Sequence, residues 1–131
     1  MNENNVIPQS IKLHTRSREL ELVYADGLRF ALPCEYLRVF SPSAEVRGHG
    51  PGQEVLQVGK INVTIREIKP VGNYALQLVF DDGHDTGIYS WDYLHQLGSQ
   101  QQQRWQHYLE QLDAAGASRD PEVQVLHFDP R

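Results

Sequence analysis

The run Tyr74-Ala-Leu-Gln-Leu-Val-Phe80 constrains the fold more than any other in the chain. Tyr74, Leu76, Leu78 and Phe80 share one face of an extended chain, and Ala75, Gln77 and Val79 share the other. A strand with apolar groups on both faces belongs inside a sheet rather than at its edge. Asp81-Asp82-Gly83 follows at once, and glycine reaches positive φ without a Cβ clash, so the chain is expected to turn there. Thr86 to Tyr89 then returns as the hairpin partner. Ser90 is placed to cap a helix from Trp91 to Leu97, with Asp92 complementing the helix dipole and Gly98 as the stop. Tyr74, Leu76, Leu78 and Phe80 are therefore expected in the core, together with Leu22, Phe30, Leu37 and Leu94.

The remaining sequence divides into short alternating strands and short helices. Residues 1–10 are polar, carry Pro8 and read as a disordered leader. Ile11–Thr15, Glu19–Tyr24 and Leu28–Leu32 alternate, and turns at Arg16–Arg18 and Ala25–Gly27 make them a meander. Pro33 suits the first turn of a helix over Cys34–Phe40, which Ser41-Pro42 ends. Ala44 to Gly52 holds three glycines and reads as a long surface loop, with a short strand expected over Val55–Val58. Ile61–Arg66 alternates as a strand, slips at Glu67-Ile68 as at a bulge, and should stop at Pro70. Ser99-Gln-Gln-Gln102 has capping-box spacing. It opens a helix whose Gln101, Trp105, Tyr108, Leu109 and Leu112 recur at helical spacing, and Gly116 ends it. Val123-Gln-Val125 alternates like an edge strand. The expected fold is α+β, with small, mostly antiparallel sheets built of a meander and hairpins, short helices and a C-terminal helix.

Composition narrows the function classes. A chain of 131 residues is one domain's length, and a net charge of −5 argues against a duplex nucleic-acid binder, which needs a basic face. The single cysteine, Cys34, excludes an internal disulfide and a multi-cysteine zinc site. No apolar run is long enough to span a bilayer and no signal-peptide core is visible, so the cytoplasm is the default compartment.

Two stretches carry candidate chemistry. Asp81, Asp82, His84 and Asp85 crowd one turn, with Tyr89 and Trp91 close behind, and imidazole with carboxylates is an acceptable metal-ligand set. The plainer reading is a polar turn whose aspartates bond their own backbone. The second stretch, Ser41 to Gly50, offers hydroxyls, Arg47, His49 and glycine-rich backbone that would suit an anion. It is not a nucleotide-binding P-loop, because no Gly-Lys-Ser/Thr follows. Cys34 sits among apolar neighbours, where a thiol is more often buried and inert. His127-Phe-Asp129 matches the start of a non-haem iron triad but lies at the chain's end, and chance explains it best.

Leu37-Arg38, Ser41-Pro-Ser-Ala-Glu-Val-Arg-Gly-His-Gly50, Val71-Gly-Asn-Tyr-Ala75 and Phe80-Asp-Asp-Gly-His-Asp-Thr-Gly-Ile-Tyr-Ser-Trp-Asp-Tyr-Leu94 resemble, in order, the gamma-butyrobetaine hydroxylase-like N-terminal domain family. The resemblance covers roughly Ile11 to Leu97. It implies a domain over residues 11–98 with a helix-and-tail extension over 99–131. In that family small bacterial proteins consist of this domain alone. In carnitine-pathway dioxygenases it precedes the oxygenase domain and holds a zinc through three cysteines and a histidine. Related domains accompany iron–sulfur carrier proteins. His84 falls where the zinc histidine would be, but the cysteine-bearing stretch corresponds to Ser41–Glu45, which has no cysteine. No zinc and no other cofactor are therefore expected, and dioxygenase activity does not carry over without its catalytic domain.

The reading that follows is a non-catalytic binding or adaptor domain for a protein partner, set by the resemblance in iron or iron–sulfur metabolism, with no nucleic acid or membrane involved. The candidate contact residues are Arg47, His49, Asp82, His84, Asp85, Tyr89 and Trp91. The alternative is a metal-binding protein, or an accessory to a dioxygenase, using His84, His49 and nearby carboxylates. An adaptor role expects Arg47, His49, His84 and Trp91 on one partly exposed face. A purely structural role expects His84 buried and hydrogen-bonded.

Overall fold

The two strongly alternating regions each fold into a three-stranded antiparallel sheet in the computed structural model, which describes residues 6–123. β1 (Ser10–His14), β2 (Glu19–Val23) and β3 (Arg29–Pro33) form the first sheet in that order. β4 (Ile65–Val71), β5 (Ala75–Phe80) and β6 (Ile88–Ser90) form the second, with β5 in the middle as its two-faced pattern requires. The helices are α1 (Cys34–Val39), α2 (Ala44–Arg47), α3 (Trp91–Ser99) and α4 (Gln101–Ala115). The fold is α+β. One core joins both sheets to α1 and α3 through Leu20, Leu22, Leu37, Leu78, Phe80 and Leu94. Cys34 is fully buried within it, as the plain reading expects.

Several local expectations are corrected. Tyr74 is 59% exposed, because β5 begins one residue later and Tyr74 belongs to the turn before it. Phe30 is half-buried. The strand expected over Ile61–Arg66 starts only at Ile65 and runs on through Pro70, which pairs with Leu76. Proline is tolerated there because β4 is an edge strand, where every second N–H points away from the sheet. A register shift does occur, between Ile65 and Glu67, close to the expected bulge. Val55–Val58 forms no strand. The surface loop expected from Ala44 instead opens with α2, because Ser43 caps it by accepting the Glu45 N–H at 3.2 Å. β1 starts at Ser10, and the Gln9 N–H donates to the Val23 carbonyl at 2.7 Å, so the order reaches into the expected leader.

The helix after β6 keeps its expected cap, with Ser90 Oγ accepting the Tyr93 N–H at 3.1 Å. Gly98 does not stop it. A Cβ at Gly98 would lie 2.3 Å from the Phe30 ring, so the glycine lets α3 pack tightly on β3 and the helix runs on to Ser99. Ser99 does not cap α4 either; its hydroxyl donates back to the His95 carbonyl at 2.9 Å, and Gln100 joins the two helices without a side-chain cap. Gly116, left-handed at φ 62°, ends α4 as expected.

α4 is fastened to the domain in two ways. Tyr108 and Leu112 bury against Val39. Beyond Gly116 the chain turns back along residues 59–61, where the Gly59 and Ile61 N–H groups donate to Ser118 and Arg119 carbonyls at 2.9 and 3.0 Å. Arg119 then forks onto the buried Glu35 carboxylate of α1 at 2.8 and 2.6 Å. The expected edge strand at 123–125 and the His127-Phe-Asp129 motif fall largely or wholly outside the described residues.

Candidate functional site

The crowded turn after β5 is closed by its own hydrogen bonds. The Phe80 N–H donates to the His84 carbonyl at 3.0 Å, and Gly83 takes φ 89°, as the turn demands. Asp81 exchanges bonds with Thr64: its N–H donates to the Thr64 carbonyl at 2.9 Å and its carboxylate accepts the Thr64 N–H at 3.1 Å. Asp82 accepts from Arg38 Nε at 2.8 Å, Lys60 Nζ at 2.7 Å and the His84 N–H at 3.2 Å. Burial alone would raise the Asp82 pKa, but Lys60, the His84 N–H and Arg38 together hold it down to about 2. Asp85 is exposed, and Gln77 Nε2 donates to its carbonyl at 2.7 Å.

His84 is buried and bonded at both ring nitrogens. Its Nδ1 lies 3.3 Å from Glu45 Oε2, and its Nε2 lies 2.8 Å from Ser41 Oγ. A carboxylate can only accept, so the network assigns the proton to Nδ1, and Ser41 donates to Nε2. Ser41 Oγ in turn accepts the Ser43 N–H at 3.2 Å. Thr86 Oγ1 donates to Glu45 Oε1 at 3.1 Å and sits 2.7 Å from Ser43 Oγ. Burial, and secondarily the Arg38 charge, hold the His84 pKa below its ordinary value of 6.5, so the ring is neutral at neutral pH. Gly87 allows this packing, because a Cβ there would lie 2.5 Å from Ser41 Oγ.

The stretch Ser41–Glu45 and His84 thus do come together, but as hydroxyls, one carboxylate and one imidazole bonded to each other. A thiolate-held zinc does not fit this donor set. Among the described residues no group of three or more His, Cys, Asp or Glu side chains is arranged to hold a metal. The order Ser41, His84, Glu45 mimics a nucleophile, base and carboxylate. Ser41 is only 1% exposed, however, so its hydroxyl is presented to the protein interior rather than to a substrate.

Tyr89 and Trp91 also serve the fold. Tyr89 is fully buried, and its hydroxyl donates to the Leu37 carbonyl at 2.6 Å. Trp91 is half-buried, and its Nε1 donates to the Asn73 carbonyl at 2.8 Å.

Arg47 and His49 lie elsewhere. They are exposed on an open groove of about 1030 Å³ between the 46–57 segment and helices α3 and α4. Gly48 at φ 73° turns the segment, and the Val55 N–H closes its base on the Val46 carbonyl at 2.8 Å. Val39, Val46 and Tyr108 are buried along the groove's lining. Tyr93, tied down by its hydroxyl donating to the Phe40 carbonyl at 2.6 Å, carries Arg47 over its ring at 4.9 Å and Arg104 at 5.8 Å. α4 also contributes His107 and Gln111. The sequence reading missed Tyr93, Arg104, His107 and Gln111. The spacing of 104, 107 and 111 on one helical face was the available signal, but nothing local says that this face meets the 46–57 segment.

The chain matches the profile of the gamma-butyrobetaine hydroxylase-like N-terminal family over residues 11–95. Among curated proteins none matches it. Two proteins with NMR solution structures are similar. One is 50% identical, covering 93% of this chain and 96% of its own with TM-score 0.79. The other is 49% identical, covering 98% of both chains with TM-score 0.75. A crystal structure from Acidithiobacillus ferrooxidans, of a protein of unknown function in the DUF971 family, is 38% identical over 74% of this chain and 98% of its own, with TM-score 0.62. The matched region ends before α4, so the α4 side of the groove's wall comes from outside it. With the matched motifs and the two-sheet fold agreeing, the chain belongs to the gamma-butyrobetaine hydroxylase-like N-terminal domain family.

Proposed function

We propose that this chain is a non-catalytic binding domain, and that the groove between residues 46–57 and helices α3 and α4 receives a segment of a protein partner. The observation that supports this best is that Arg47 and Arg104 converge on Tyr93 in an open groove, with neither paired to a carboxylate among the described residues. An aromatic and an Arg anchor beside apolar side chains is the usual composition of a recognition hot spot. Residues of the turn that would otherwise suggest catalysis are engaged with one another, which favours binding over chemistry.

Photo-crosslinking tests the placement in cells. p-Benzoylphenylalanine introduced at His49 or Gln111, both exposed on the groove, is expected to give a discrete protein adduct. The same probe at Asp85, exposed on the turn, is expected to give none. Adducts from Asp85 alone, or none from either groove position, would count against the groove as the binding surface.

A further inference from the structure

We infer that the segment this groove takes is acidic: a stretch of a partner protein that interleaves Asp or Glu with apolar side chains. This rests on the binding reading above and adds the chemistry of the occupant.

Charge is the first argument. The whole chain carries −5, yet the charged groups lining the groove are Arg47 and Arg104, with His49 and His107 beside them, against a single acid, Glu54. That carboxylate accepts the Gly52 N–H at 3.2 Å, and the two arginines outnumber it. A cationic concavity on an anionic protein selects an anionic partner, while the net charge of −5 sets whole copies of the chain against one another.

The state of the arginines is the second. Arg29, Arg38 and Arg119 each hold a carboxylate of this chain. Arg47 and Arg104 instead lie over aromatic rings, Arg104 over Phe40 at 5.6 Å as well as over Tyr93. A guanidinium held over an aromatic ring, with no carboxylate of its own chain, keeps N–H donors for a partner's carboxylate. Arg104 Nε donates to Gln100 Oε1 at 2.9 Å, which steadies that side chain and leaves its terminal nitrogens for a ligand.

Shape is the third. At about 1030 Å³ and open to solvent, the groove lies at the top of the range of roughly 300–1,000 Å³ that drug-sized ligands occupy. Val39, Val46, Leu56 and Tyr108 give it an apolar lining that a small, fully polar acid would not use. A peptide with acidic and apolar residues together satisfies both parts of the surface, which favours a protein segment over a free carboxylic acid.

The test uses the full chain and an array of hexapeptides in which three positions are Asp or Glu and three are Leu, Phe or Trp. A matched array carries Asn and Gln in place of the acids. Wild-type protein is expected to favour the acidic array by about tenfold or more, with the preference shrinking as salt is added. The double variant Arg47→Ala/Arg104→Ala should lose that preference while keeping a wild-type 1H–15N spectrum, which guards against simple unfolding. Equal retention of both arrays would overturn the acidic assignment and leave the groove a binding site. Competition by free glutarate at the same concentration as peptide would overturn the choice of a protein segment. Retention of neither array would overturn the acidic assignment even where the His49 and Gln111 crosslinks persist. Loss of those crosslinks as well would remove the binding reading beneath it.

Discussion

The turn at residues 81–85 and the groove beside α4 both gather charged and aromatic side chains, yet they use them in opposite ways. In the turn, Asp81, Asp82 and His84 all bond within the chain, and the carboxylate of Asp82 alone joins α1, Lys60 and the turn backbone. In the groove, Arg47 and Arg104 rest on Tyr93, and their charges are left unmatched among the described residues. A density of titratable residues in sequence therefore marks a fastening as readily as a site. What separates the two is whether the polar groups are satisfied internally, because an unpaired group kept at a solvent-facing groove has binding energy still to contribute.

The largest effect that would test this contrast is expected at Asp82. Asp82→Ala leaves the buried Arg38 guanidinium without its carboxylate and should cost about 3 kcal/mol. Urea melts of wild type and variant read it directly; a loss under about 0.5 kcal/mol would show that the turn is not a fastening. His84→Ala follows, at about 2 kcal/mol, since it removes a buried ring and strands the Ser41 hydroxyl.

His84 also gives the turn a pH signature. Its folded pKa lies below the ordinary 6.5, so on acidification the unfolded chain takes up this proton first. Stability from this group is complete above that value and is lost as pH falls through the folded pKa. Melts of wild type from about pH 8 to about pH 5 should therefore show declining stability that His84→Ala flattens. An unchanged slope in the variant would assign the decline to other groups. Asp82 acts lower on the scale, its contribution being present above pH 3.8 and lost toward pH 2.

Gly87→Ala sharpens the comparison by steric means. The added methyl must displace Ser41 Oγ, with an expected cost of about 1–2 kcal/mol and a weakened Ser41–His84 bond. An unshifted His84 ring resonance by NMR would sink that expectation. The smallest effect belongs to the groove, where Arg47→Ala should change stability by no more than about 0.5 kcal/mol. A loss as large as that of His84→Ala would erase the distinction between the two regions.

Much of this was legible in the sequence wherever the cause is local. The period-two runs at 19–24, 28–32 and 74–80 became the strands Glu19–Val23, Arg29–Pro33 and Ala75–Phe80, because alternation decides which side chains a sheet can bury. Ser90 and Gly116 bound their helices by cap chemistry within a few residues. Two of the misread positions are those where tertiary packing intervened. Gly98 lies inside α3 because Phe30 needs the space, and Pro70 stays in β4 because that strand has an open edge.

The sequence by itself determined most of the element types, the central place of β5, the family motifs and the mismatch between Ser41–Glu45 and a thiolate zinc site. Only the tertiary structure decided which candidates meet. It buried His84 against Ser41 and Glu45, sent Tyr89 and Trp91 into the fold, and carried Arg47 and His49 to a groove with Arg104 and His107. The reason is range. Propensity, alternation and capping act over a few residues, whereas the groove joins side chains some fifty or more positions apart, and their meeting depends on how α4 is held by Arg119 and Glu35.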